Sequence, residues 1–144
     1  MTPTNAFDLQ DFLPYLLYQA ADASSREFET YYKSRYGMLR TEWRVIFHLG
    51  RYGKMTAKEI CERARLHKTK VSRAVRALEE KRYLSRKKLP DDRRHESLGL
   101  TSAGGRVFAD LCEEAKRFDE KMLASFSEAE KTDMRRFLTK IANL

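Results

Sequence analysis

Thirteen lysines and arginines crowd the 32 residues from Arg63 to Arg94, against four acids, Glu79, Glu80, Asp91 and Asp92. The local balance of +9 exceeds the +8 of the whole chain, so the remaining 112 residues are nearly neutral. Such groups do no bond chemistry of their own. They meet phosphate oxygens, and hydroxyls among them add directed hydrogen bonds. A charge run by itself is often only a solvated face. Here it is threaded with apolar residues, for Val71, Ala74, Val75 and Leu78 recur at i, i+3, i+4, i+7. The opposite face carries Lys68, Thr69, Ser72, Arg73 and Arg76, with Lys70 alongside. One face suits a core and the other a polyanion.

Other chemistries find little support. His48, His67 and His95 are the only histidines, no two stand at i, i+4, and no acid completes a metal spacing, so no metal or cofactor is expected. Each reads as structural or solvent-facing, with DNA contact an alternative for His67 and His95. There is no Gly-rich phosphate loop, nucleophile elbow or His–Glu helical pair, and an enzyme is not expected. Cys61 and Cys112 make no disulfide framework, which suits a reducing cytoplasm. Both fall beside apolar residues as inert thiols would; an oxidation sensor is the other reading, with Arg63 and Arg65 placed to activate Cys61. No run approaches the ~18 apolar residues of a membrane span. Met1 to Gln10 lacks the basic-then-apolar order of a secretory signal.

At 144 residues, 42% of them apolar, the chain suits one domain with a real core. Gly and Pro are few, and the periodicity is mostly helical. A first helix is expected over 11–33, capped by Asp11 with Pro14 in its first turn and Gly37 beyond its end. A second runs from Thr41 to Leu49, closed by Gly50 and Gly53. Thr56 and Glu59 form a capping box before a short helix, Ala57 to Ala64. After a turn at Arg65-Leu66 the basic helix spans Lys68 to Lys81. The period then changes. Tyr83–Lys88 and His95–Leu100 read as two strands around Leu89-Pro90-Asp91-Asp92, a hairpin with a basic tip. Thr101 caps a helix to about Ser125, and Ser127 with Glu130 caps a last one.

Short helix, tight turn, basic helix and basic hairpin make a winged helix-turn-helix. A helix fits the major groove, and a hairpin arginine suits the narrow minor groove. The sequence resembles the MarR family of bacterial transcriptional regulators over nearly its whole length. The resemblance is carried by Glu42-Trp43-Arg44-Val45-Ile46, Thr56-Ala57-Lys58-Glu59-Ile60, the run Lys70 to Lys81, the wing Pro90-Asp91-Asp92-Arg93-Arg94, and Leu98 to Gly104. It implies a mainly α fold: a winged helix-turn-helix over about 39–100, with dimerisation helices at 7–36 and 102–144. It implies a cytoplasmic homodimeric repressor on a pseudo-palindromic operator, with Arg86, Lys88, Arg93 and Arg94 of the wing joining Lys68, Thr69, Lys70, Ser72, Arg73 and Arg76 on double-stranded DNA. Two positions depart from the pattern. Arg82 stands where Gly usually forms a left-handed cap, at a cost of about 1 kcal/mol unless compensated, for instance by phosphate. Arg65-Leu66-His67 lacks the usual Gly before Leu.

In the family pattern the wing acid pairs with a base of its own module, so Asp92 is expected to orient Arg94 or a recognition-helix arginine; the alternative is that Asp91-Asp92 only favours the turn. Family members bind aromatic acids or related effectors between dimerisation and DNA-reading layers. Tyr15, Tyr36, Trp43, Arg44 and Phe47 are the expected lining, with Tyr18, Tyr31 and Tyr32 beside them, although aromatics at helical spacing also serve as core. Phe12, Leu16, Val107, Leu111, Phe118, Phe137 and Ile141 are expected to be buried within or between subunits. The competing class is a monomeric winged helix that binds protein or RNA, which would need no symmetric outer helices.

Overall fold

In a computed structural model, which describes residues 6–92 and 94–144, the first side-chain cap belongs to Asp8 and not to Asp11. The Asp8 carboxylate accepts from the Gln10 amide at 3.0 Å and starts a single 3-10 turn, Leu9–Asp11. Phe12 is extended and offers no side-chain cap, and helix α1, Leu13–Tyr36, has Pro14 in its first turn, where its missing N–H needs no partner. It runs past residue 33 because nothing stops it before Gly37. That residue takes the left-handed conformation (φ 63°) and donates to the carbonyls of Lys33 and Tyr32. The described residues up to Arg40 form one unit of the chain, and Thr41–Leu144 the other. In the first, Phe28 meets the buried Tyr32 edge-on at 5.3 Å, while Phe12, Leu13 and Leu16 are exposed.

Helix α2 spans Arg40–Tyr52, from Thr41 on in the second unit, and passes straight through Gly50. This corrects the expected end at Leu49. A Cβ at Gly50 would lie 2.4 Å from the Phe108 ring, so this glycine admits a neighbour and does not end a helix. Gly53, with φ at +84°, makes the turn. Helix α3, Ala57–Ala64, is capped by Thr56 at 3.2 Å, but the box is half-formed: the Glu59 carboxylate accepts from the Thr56 hydroxyl. Helix α4 covers Lys68–Glu80, with Lys81 as its C-cap and His67 as an unforeseen N-cap, its ring accepting from the Thr69 amide at 3.2 Å.

Strands β1, Leu84–Lys88, and β2, Glu96–Leu100, pair antiparallel from Leu84 opposite Leu100 to Lys88 opposite Glu96. Met55 adds an isolated bridge to Leu98 at the sheet's root. Helix α5, Ser102–Met122, is capped by Thr101 and stops three residues before Ser125, where the Leu123 amide turns back to Asp119. Ser127 and Glu130 form the full reciprocal box that opens helix α6, Glu128–Ala142. The core draws Val45 and Ile46 from α2, Ile60 from α3, Val71 and Leu78 from α4, Leu98 from β2 and Leu111 from α5, all at 0–2% exposure. Each such burial contributes about 2 kcal/mol. Among the described residues no helix is long and apolar enough to cross a membrane.

Candidate nucleic-acid interface

Helix α4 is divided cleanly between its two faces. Val71, Ala74, Val75 and Leu78 are at most 4% exposed, while Lys68, Thr69, Lys70, Ser72, Arg73 and Arg76 are all open to solvent. The buried row packs α4 on α3 and on the root of the wing, so the outer row is held on a rigid helix. Arg86, Lys88 and Arg94 of the wing are also exposed, and Arg93 lies outside the described residues. A cleft of about 700 Å³ runs along this side, with Lys58, Lys68, Arg76, Arg86 and Arg94 among its lining and Glu62 and Glu96 as its acids. The cleft thus brings Lys68, Ser72 and Arg76 of α4 together with Arg86 and Arg94 of the wing, while Thr69, Lys70, Arg73 and Lys88 are not part of its lining.

Counting charges along the chain hid how several are used. Lys81 donates to the buried Glu42 at 2.7 Å, linking the end of α4 to the start of α2. Arg86 reaches Glu79 at 3.1 Å, and Arg76 lies 3.7 Å from Glu80. Arg65 donates to the backbone carbonyls of Ala142 and Asn143 at the end of α6. These acids and carbonyls come from elements distant in sequence or one turn away, and no linear count assigns them.

The left-handed cap expected at Arg82 occurs, and Arg65, where Gly is more usual, is left-handed as well. Arg65 has φ 55° and Arg82 φ 64°. Around Arg82 the support comes from the backbone: its amide donates to Glu79, and its carbonyl accepts from the Thr101 hydroxyl at 2.7 Å. Thr101 therefore caps α5 and pins the wing at once. Gly104 is needed here because a Cβ would stand 1.9 Å from the Tyr83 carbonyl oxygen.

At the tip, Asp92 takes the Arg94 backbone amide at 3.0 Å and the His95 Nδ1 at 2.8 Å. Among the described residues its partners are thus an amide and an imidazole, where a guanidinium of Arg94 or of α4 was expected. The His95 contact, then the Arg94 amide, holds its carboxyl below the usual carboxylate value of 3.8. Asp92 organises the turn's backbone, which leaves the Arg94 side chain exposed.

Trp43 and Phe47 meet at 5.8 Å on α2, and the exposed Arg44 accepts through its carbonyl from His48 at 2.7 Å. Phe108 and Tyr52 extend this cluster from Phe47, at 6.2 and 6.4 Å, and Arg63 covers Tyr52 at 4.2 Å. Sequence reading overlooked Phe108 and Tyr52, though a glycine inside an apolar helix was the signal for a ring beside it. Tyr15 and Tyr36 are half-buried on α1, where the Arg35 guanidinium lies 5.8 Å from the Tyr36 ring. Cys61 is half-buried in the cleft; burial pushes the Cys112 thiol up, away from reactivity.

A basic helix with an apolar back, joined to an antiparallel wing, defines a winged helix-turn-helix DNA-binding module. The MarR family model matches residues 36–95. YwoH of Bacillus subtilis, an uncharacterized HTH-type transcriptional regulator, is 27% identical over 96 residues, 67% of this chain and 69% of that one. A MarR/EmrR family transcriptional regulator from Acinetobacter sp. ADP1 is 27% identical, with 95% of this chain and 96% of that one covered at a TM-score of 0.83. BpsR of Bordetella bronchiseptica, whose DNA binding is regulated by 6-hydroxynicotinic acid, shares the fold at 16% identity, with 97% and 99% covered and a TM-score of 0.88. Residues 36–95 thus match the MarR family, and the fold is that of MarR-family DNA-binding transcriptional regulators.

Proposed function

We propose that the chain is a cytoplasmic homodimeric repressor, seated on a pseudo-palindromic operator and released from it by a small aromatic acid or aromatic acyl ligand. The observation that carries the DNA contact is the division of α4, four residues buried at 4% or less behind six exposed polar and basic ones. In this reading Lys68, Thr69, Lys70, Ser72, Arg73 and Arg76 enter the major groove and Arg94 the minor groove. Dimerisation is supported by the apolar residues left open on α6, where Phe137, Leu138 and Ile141 are 45–51% exposed. The effector is supported by an aromatic pair, Trp43 and Phe47, next to a cationic Arg44, and by the ligand of BpsR.

Footprinting on the DNA flanking its own gene tests the repressor. Protection is expected over two half-sites about one helical turn, ~10 bp, apart. A protein that is monomeric at micromolar concentration and protects nothing would favour the protein- or RNA-binding class. Trp43 is the chain's one tryptophan, so its fluorescence reports the effector. Titration with 6-hydroxynicotinate or benzoate should shift that emission and release the DNA in the same concentration range; release with no change in emission would remove Trp43 from the effector site.

A further inference from the structure

We infer that Arg65 is a positioning residue for operator reading: its guanidinium clamps the C-terminal end of α6 and thereby fixes the start of α4. It sits in the turn of the helix-turn-helix, inside the basic run, where a cation would ordinarily be counted toward phosphate. Its side chain goes elsewhere, to the carbonyls of Ala142 and Asn143, the latter at 2.6 Å. Those carbonyls stand at a helix end, where partners are lacking and the helix dipole is negative, so a forked cation fits them twice over. Asn143 is itself left-handed (φ 58°), which ends α6 and presents its carbonyl.

The backbone of Arg65 explains the reach. Its φ of 55° would suit glycine, and its amide and that of Leu66 both return to the Cys61 carbonyl, closing α3. Two residues later His67 caps α4 through the Thr69 amide. Any shift of Arg65 is therefore passed through one residue, Leu66, to the cap of the reading helix, beside Lys68 and Thr69. Glycine would take the same backbone without strain but could not hold α6. Arginine here trades backbone ease for a link between the last helix and the reading head.

The inference rests on α4 being the reading helix, and the test separates the two. Arg65→Ala, Arg65→Gly, Arg65→Lys and Arg73→Ala are compared on a duplex selected from a randomised pool by the unaltered protein, and on a scrambled duplex of equal composition. Arg65→Ala and Arg65→Gly should each lose about tenfold on the selected duplex, a loss ordinary for coupled sites. Binding to the scrambled duplex and the salt slope should stay unchanged, because the number of phosphates neutralised is the same. Arg65→Lys, which keeps the charge but not the fork, should fall between. Arg65→Gly carries the test if Arg65→Ala fails to fold. Unchanged affinity for the selected duplex would leave the clamp merely structural and overturn the inference. So would equal losses on both duplexes with a salt slope reduced by about one, the mark of a direct phosphate contact. If Arg73→Ala loses nothing on the selected duplex, it is the reading of α4 that fails.

Discussion

Asp92 turns both carboxylate oxygens onto its own wing, one to the Arg94 amide and one to His95. An asparagine can repeat both contacts, accepting from the amide with its oxygen and donating with its nitrogen to the His95 Nδ1 in the ring's Nε2–H tautomer. Asp92→Asn should therefore keep the turn and remove a negative charge facing phosphate. Binding should tighten by about threefold at low salt, with the gain fading as salt rises. Asp92→Ala removes the acceptor as well and should weaken binding, and an anisotropy titration of both variants at two salt concentrations decides between them. Weaker binding by Asp92→Asn would mean that the charge, and not the turn, orients the wing. The pH dependence has a definite sign. A carboxyl lowered in the folded state stabilises the wing above its unfolded value, and that contribution is lost as pH falls through the lowered value. The Arg94 amide resonance should accordingly titrate with a midpoint below the usual carboxylate value of 3.8. A midpoint at or above that value would show the contact absent in solution.

Helix α4 and its supports were the part of the fold most open to sequence reading, because a buried face at 3.6-residue spacing and a side-chain cap are both local signals. Where the reading failed, the cause was tertiary. Gly50 looked like a stop, and only Phe108, 58 positions on, explains why a glycine belongs in mid-helix. Asp11 looked like a cap, but α1 starts after Phe12 with no side-chain cap, and Asp8 caps only the 3-10 turn before it. The cation pairings of Lys81 and Arg65 depend on packing between distant elements and left no trace in the spacing. Two expectations follow from these elements. Arg73 lies on the open face of α4, so Arg73→Ala should leave thermal stability within about 0.5 kcal/mol of the unaltered protein. Its operator affinity should fall by about 1–2 kcal/mol. A large loss in melting temperature would instead mark Arg73 as a structural ion-pair member. Gly104→Ala should do the opposite. Its Cβ would meet the Tyr83 carbonyl at 1.9 Å, forcing α5 off the wing's root, at a cost of about 3 kcal/mol. Calorimetry checks this directly, and an unshifted melting curve would mean that the two elements part easily.

At the scale of the whole molecule the question is what covers the outer helices. Of the residues expected to be buried, Val107 and Leu111 are at most 6% exposed within the chain, and Phe118 is half-buried. Phe12, Leu16, Phe137 and Ile141 remain 43–51% exposed. A single soluble chain seldom leaves so many large apolar groups bare, and in the proposed homodimer a second copy covers them. Phe137→Glu puts a charge into that contact without touching α4 or the wing. It should halve the mass seen by light scattering and preserve the helical circular dichroism. The DNA consequence is larger than the lost contact suggests, because two linked reading heads bind the second half-site at a high effective concentration. A monomer should lose about 100-fold on a full operator while keeping the affinity of one head for a half-site. Each head neutralises its own phosphates, so the slope of log affinity on log salt should also fall by about half. The two readouts fail in different ways. An unchanged mass would show that the outer helices are not the subunit contact. A monomer with full affinity and full slope would show that one chain makes all the DNA contacts, and the pairing of half-sites would be wrong even though α4 and the wing read DNA as described.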